Sequence, residues 1–154
     1  MKHAYLIIAH NEWPILRILL SMLDDSRNDI YIHVDKRATT LYNKVRTYRT
    51  KYAKLICLNK RICVRWGNFS QVEVEYILLK EALVHGPYTS YHLLSGTDLP
   101  LKSQTYIHEF FAKHQGKEFI SFLQGAEHRA DLQKKVSLYY IMNHHKKDKS
   151  HPMH

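Results

Sequence analysis

Ile30-Tyr31-Ile32-His33-Val34-Asp35-Lys36-Arg37 is the stretch whose reading decides the fold. Its first five residues are β-branched, aromatic or imidazole, the composition of a buried strand, and an acid and two bases follow where such a strand would end. In an open α/β sheet, ligands bind just beyond the carboxyl ends of the strands. Asp35 is thereby placed to accept hydrogen bonds from a ribose or a base edge, with Lys36 and Arg37 beside any phosphates. The competing reading has Asp35 capping the next helix and both bases solvated.

Working outward, Ala4 to Ala9 is an apolar run of strand length that ends in His10-Asn11-Glu12. Pro14 suits the first turn of a helix, and Ile15, Leu16, Leu19, Leu20 and Leu23 then recur at helical spacing. After the strand Ile30 to Val34, a second helix is expected from Thr39 to Tyr52, with Leu41, Val45, Tyr48 and Tyr52 on one face and Lys44, Arg46, Arg49 and Lys51 outside. Lys54 to Leu58 reads as a third strand and Ile62 to Val64 as a short extended piece. Ser70-Gln71-Val72-Glu73 matches a capping box, so a helix is expected from Gln71 to Val84, stopped by Gly86-Pro87.

Tyr91 to Leu94 is the next strand, Ser103 starts a helix with Tyr106, Ile107, Phe110 and Phe111 apolar, and Glu118 to Phe122 is a last strand candidate. This alternation predicts an α/β fold, a mostly parallel sheet covered by helices on both faces. From Glu127 to Tyr140 the chain is polar with helical character, and Asn143 to His154 is rich in His and Lys. The expected organisation is a main domain over residues 1–125 followed by a basic segment over 126–154.

The chain has 154 residues, enough for one domain with a real core, and 45% hydrophobic residues with only 5 Gly and 4 Pro exclude a disordered or fibrous chain. A net charge of +9 favours a polyanionic partner: nucleic acid, an anionic membrane or a nucleotide diphosphate. No nucleic-acid motif is present, and the basic residues are scattered over several helices, so nucleic acid is not the expected partner. Cys57 and Cys63 lack metal spacing and point to packing roles in a reducing compartment. The apolar run near the amino terminus is too short for a signal core or a membrane span, so a cytoplasmic location is expected, with peripheral contact to the inner face of the membrane.

Three strand ends carry polar clusters: His10-Asn11-Glu12, Asp35-Lys36-Arg37 and Ser95-Gly96-Thr97-Asp98. In a parallel sheet they lie on one edge, so they can share one cleft. Neither a dinucleotide nor a P-loop glycine pattern is present. Gly96 and Pro100 bracket a tight loop in which Asp98 either binds a sugar hydroxyl or bonds its own loop's amides. Trp66 beside Gly67 is either a platform for a base or sugar ring or a core residue. Asp35 has no second acid one or two residues on, so the paired-carboxylate metal clamp is missing there, and the tail histidines His144, His145, His151 and His154 lack ligand spacing. No metal and no cofactor is expected.

Together, Ala4 to His10, Ile32 to Arg37, Val64-Arg65-Trp66-Gly67, and Leu94 to Pro100 with Lys102 resemble the core-2/I-branching β-1,6-N-acetylglucosaminyltransferase family, in the bacterial type, over Lys2 to Phe122. The resemblance implies a GT-A-like, Rossmann-type domain that transfers a sugar from a UDP-sugar to a glycan or lipid-linked glycan hydroxyl, with inversion and without metal. UDP-N-acetylglucosamine is the implied donor, in polysaccharide biosynthesis. A xylosyltransferase of the same family and a catalytically incomplete nucleotide-binding module are the alternatives. By position, Ile8, Ala9, His10, Asp35, Lys36 and Arg37 become nucleotide-binding, and Trp66 and Asp98 substrate-binding, Asp98 in a supporting or acceptor role. Cys63 stands where some members have a nucleotide-contacting tyrosine. The family's general base, a glutamate, and its diphosphate-holding Arg and Lys come from a later segment, expected beyond His154.

Overall fold

In the computed structural model, residues 2–65, 67–119, 129–130 and 132–133 are described. The chain divides into two compact units, Met1–Gln115 and Gly116–His154. In the second, residues 129, 130, 132 and 133 are helical. The first unit holds β1 (His3–Ala9), α1 (Trp13–Met22), β2 (Asn28–Val34), α2 (Thr39–Thr47), β3 (Lys54–Cys57), α3 (Ser70–His85), β4 (Ser90–Ser95) and α4 (Gln104–Lys113).

Four parallel strands form a sheet in the order β3-β2-β1-β4. Handedness explains the helix placement. Going from β1 to β2 to β3 the chain moves in one direction, and a right-handed crossover puts α1 and α2 on one face; the jump from β3 back past β1 to β4 reverses direction and puts α3 on the other. Tyr5, Ile7 and Ala9 of β1 and Ile30, Ile32 and Val34 of β2 accordingly pack with Leu16, Leu19 and Leu20 of α1 and Leu41 and Val45 of α2. Across the sheet, Ala4, Leu6 and Tyr31 meet Leu78 and Ala82 of α3. Both central strands are buried on both sides, which is why each reads as a continuous apolar run.

Several expectations are corrected. α2 stops at Thr47, because Tyr48 turns extended (ψ 143°) and the Asp24 carboxylate accepts the backbone N–H groups of Lys51, Tyr52 and Ala53, drawing that segment out of the helix. Arg49 and Lys51 are therefore not helical, and Tyr52 is exposed. The capping box does not form: the helical turn starts at Phe69, so Ser70 lies inside it and its Oγ accepts from Arg65 N instead, while Asn68 Oδ1 accepts from Ser70 N. Cys57 is half-buried against the core, but Cys63 is exposed and does not pack. Glu118 and Phe119 are not in a strand, and the remainder of that candidate, residues 120–122, lies outside the described residues, as do Glu127, Asp131 and the His/Lys-rich tail.

α4 docks at the amino-terminal edge of the strands through imidazoles. Its buried residue is His108, whose Nε2 donates to Asn28 Oδ1 at 2.9 Å and whose ring stacks on His3 at 3.9 Å. His3 Nδ1 in turn is hydrogen-bonded to His92 Nε2 of β4 at 3.1 Å, and Phe111 meets both rings edge-on. Asn28 Nδ2 also donates to Leu23 O and Gln104 Oε1. Burial, with the neighbouring imidazoles and Arg27 adding to it, pushes His3 down to about 3 and His92 down to about 4, and lowers His108.

Because these values are depressed on folding, the unfolded chain binds more protons between pH 6.5 and about 4, so stability rises with pH there. It is fully present above 6.5 and is lost as the pH falls through the folded values. The urea midpoint should fall steadily from pH 6.5 to 4, and His92→Gln should flatten that slope. A midpoint flat down to pH 4.5 would contradict neutral burial of these rings.

Candidate donor site at the carboxyl edge

All four strands point the same way, so the loops after β1, β2 and β4 meet on one edge. β1 is their anchor: Asp35 N donates to Ala9 O, and Gly96 N donates to Ile8 O, each at 2.8 Å. A side chain at Gly96 would put its Cβ 2.9 Å from Ala9 Cβ, so this position requires glycine for close approach. Ile8 is half-buried, Ala9 buried and His10 exposed.

Asp35 is 2% exposed and does not face open solvent, which corrects the expectation of an acid lining a cleft. Both of its oxygens are engaged by the protein. Oδ1 accepts from Arg37 N (2.8 Å) and Nε (3.0 Å), and Oδ2 accepts from Arg37 Nη2 (3.0 Å) and Val64 N (2.8 Å). Arg37 Nη2 also donates to Val64 O at 2.7 Å. Burial pushes this carboxyl up, but the guanidinium and the two amides outweigh it and hold it down at about 2. The acid is thus a fixed anion whose bonds are charge-assisted.

The extended piece Ile62 to Val64 is not a strand, yet it is strapped to the end of β2. His33 Nε2 accepts from Ile62 N at 3.0 Å, Lys36 N donates to Ile62 O at 3.0 Å, and Asp35 and Arg37 hold the two sides of Val64. His33 is wholly buried, and burial lowers it to about 4, which keeps Nε2 available as an acceptor. His-Val-Asp-Lys-Arg is therefore a clamp for the segment that leads to Trp66, a residue that itself lies outside the described residues.

Beside the clamp, a cleft of about 290 Å³ opens between the loops after β1 and β2. It is lined by His10, Asn11, Glu12 and Trp13 on one side, and by Arg37, Thr39, Thr40 and Lys44 on the other. Of the expected site residues, His10 and Arg37 come together here; Ile8, Ala9, Lys36 and Asp98 are not in its lining. The connection reverses between β1 and β4, but there Gly96 is closed up on Ala9, so the space lies one strand over. Thr39, Thr40 and Lys44 were missed by sequence reasoning, although their place at the start of the helix after Arg37 was a usable signal. Glu12, at the rim, takes a left-handed backbone (φ 58°), a conformation that costs a non-glycine residue roughly 1–2 kcal/mol.

Asp98 is exposed in a tight loop after β4. Its backbone N–H donates to Ser95 O, and its Oδ2 accepts from Ser95 N at 2.8 Å, so one oxygen is bound within the loop and the carboxylate has a fixed direction. Both readings of Asp98 thus share one geometry. Among the described residues no group of three or more His, Cys, Asp or Glu has metal-binding geometry, and no helix is long and apolar enough to cross a membrane.

A family model described as Core-2/I-Branching enzyme matches residues 3–153. The chain belongs to this family. Its parallel sheet with helices on both faces is the GT-A-like α/β arrangement expected of such an enzyme. It is similar to xylosyltransferase 2 of Mus musculus, 28% identical over 123 residues, which cover 78% of this chain and 14% of the relative. Xylosyltransferase oxt of Drosophila melanogaster is 26% identical over 103 residues, 66% of this chain and 12% of that protein. The chain therefore spans about one seventh of the length of the mouse relative.

Asp35→Asn should remove the charge that fixes Arg37 while keeping the side chain's size. Losing charge-assisted bonds in a buried place costs roughly 1.5–3 kcal/mol, so the urea midpoint should drop with an unchanged m-value. A midpoint equal to wild type would show that Asp35 does not hold the clamp.

Proposed function

We propose that this chain carries the donor-binding part of a glycosyltransferase that moves a sugar from a uridine diphosphate sugar to a glycan or lipid-linked glycan hydroxyl. The carrying observation is the basic cleft beside the clamp, where Arg37, Lys44 and His10 meet the first turn of α2. Cations and free helix N–H groups in one cleft suit a diphosphate. Ile8, Ala9 and His10 line the base and ribose in this reading. Asp35 acts by orienting Arg37 and Val64, and Lys36 adds positive charge at the mouth.

Trp66 and Asp98 serve the sugar and the acceptor. The Asp98 carboxylate, held through one oxygen by Ser95 N, offers the other to an acceptor hydroxyl. The reaction proceeds with inversion, since direct displacement needs only an oriented hydroxyl, a base and cations on the departing diphosphate. It proceeds without metal, because the strand-end acid is already committed to Arg37 and Val64. The base is supplied from outside the described residues. The family resemblance favours N-acetylglucosamine as the transferred sugar, whereas the names of the curated relatives favour xylose.

Calorimetric titration of the chain with UDP, UDP-xylose and UDP-N-acetylglucosamine tests the reading. UDP should bind as well in EDTA as in magnesium, Arg37→Ala should weaken it about tenfold or more, and the preferred sugar nucleotide should identify the donor. Absence of binding by all three at millimolar concentration, or binding lost on chelation, would overturn it.

Asp98→Asn, placed in a protein that turns over, should raise the acceptor KM with kcat little changed. A kcat loss of roughly 100- to 10,000-fold at constant KM would instead make Asp98 the base.

A further inference from the structure

α3 is apolar on two opposite sides. Val74, Leu78 and Ala82 are buried toward the sheet, whereas Phe69, just before the helix, and Val72, Tyr76, Leu79 and Leu83 form a second stripe that is exposed, from 37% at Leu79 to 74% at Phe69. At 100° per residue these five fall within an arc of about 80° centred away from the sheet. Their spacing alternates three and four residues, the pattern of a helix seam that meets another helix. A surface helix needs only one apolar face, so the second is a contact surface.

We infer that this stripe pairs with the same stripe of a second copy of the chain, the two α3 helices antiparallel about a two-fold axis. The charges beside the stripe select this occupant. Glu73 and Lys80 are both exposed and flank the same side of the seam, seven residues apart. In the antiparallel register that stacks Val72 on Leu83 of the second copy and Tyr76 on its Leu79, with the symmetric layers completing the seam, Glu73 lies about two residues along the axis from the level of Lys80 of the second copy, within reach of the two long side chains, and Lys80 lies likewise from its Glu73. Phe69 then faces Gly86 of the second copy, where no side chain obstructs the ring. The apolar layers and the ion pairs are thus compatible with one register. This self-complementarity is what a two-fold interface requires.

Sedimentation velocity on the full chain from about 5 to 100 µM, where a dimer of micromolar affinity must appear, is the test. The wild type should dimerise and Leu79→Glu should be monomeric, with circular dichroism reporting the fold of each. Glu73→Lys and Lys80→Glu should each weaken the dimer about tenfold, and the double exchange should restore it, because it rebuilds both pairs with the signs swapped. A monomer across the whole range would overturn the inference and leave the stripe to a segment of a longer protein. A double exchange no better than the single variants would overturn it too, by showing association through another face.

Discussion

The buried carboxylate of Asp35 joins three pieces of chain that local preferences would leave apart. It sits at the end of β2, accepts the Arg37 guanidinium in a two-point bond, and takes the Val64 amide from a segment with no strand pairing of its own. A backbone amide buried without a partner costs about 1–3 kcal/mol, so a loop with so little regular structure stays in place only if something accepts its N–H groups. His33 and Asp35 do so for Ile62 and Val64, and Arg37 answers the Val64 carbonyl. The result is a cation held at the edge of a cleft in a direction set by the sheet.

The two edges of the sheet divide the labour. At the carboxyl edge, loops hang from the last carbonyls of β1 and their polar groups stay reachable, as the exposed His10 and Asp98 show. The amino edge is closed by His3, His92, His108 and Asn28, polar groups that satisfy one another out of water and hold α4. Buried polar networks of this kind fix geometry while leaving the far edge free to vary. α4 follows the loop that carries Asp98, so its docking also limits how far that loop can move.

Much of this was legible beforehand. Both central strands, the parallel α/β class and the placement of helices on both faces followed from apolar runs of strand length alternating with helical spacing, because burial on both sides imprints itself on every residue. Strand-end chemistry was legible as composition but not as partnership. Asp35 was open between ligand contact and helix cap; it does not cap α2 but bonds Arg37 two residues on and Val64 far along the chain, and no local pattern encodes that second bond. The same limit explains Asp24, whose capture of three distant amides shortened α2, and Ser70, whose hydroxyl accepts from Arg65 N and does not cap α3. The histidine network was hidden because His3, His92 and His108 are far apart in sequence and no spacing links them.

The central claim is that the end of β2 clamps the Ile62 to Val64 segment and holds Arg37 at the edge of the proposed donor cleft, and amide hydrogen exchange read residue by residue measures it most directly. The account predicts slow exchange at Ile62 and Val64 although neither lies in a strand, with Val64 losing its protection in Asp35→Asn while Ile7 and Ile32 keep theirs, and UDP slowing exchange further at residues 36–40 and 62–65. Fast exchange at Val64 in the wild type, or UDP protection confined to the amino edge around His3 and His108, would contradict it.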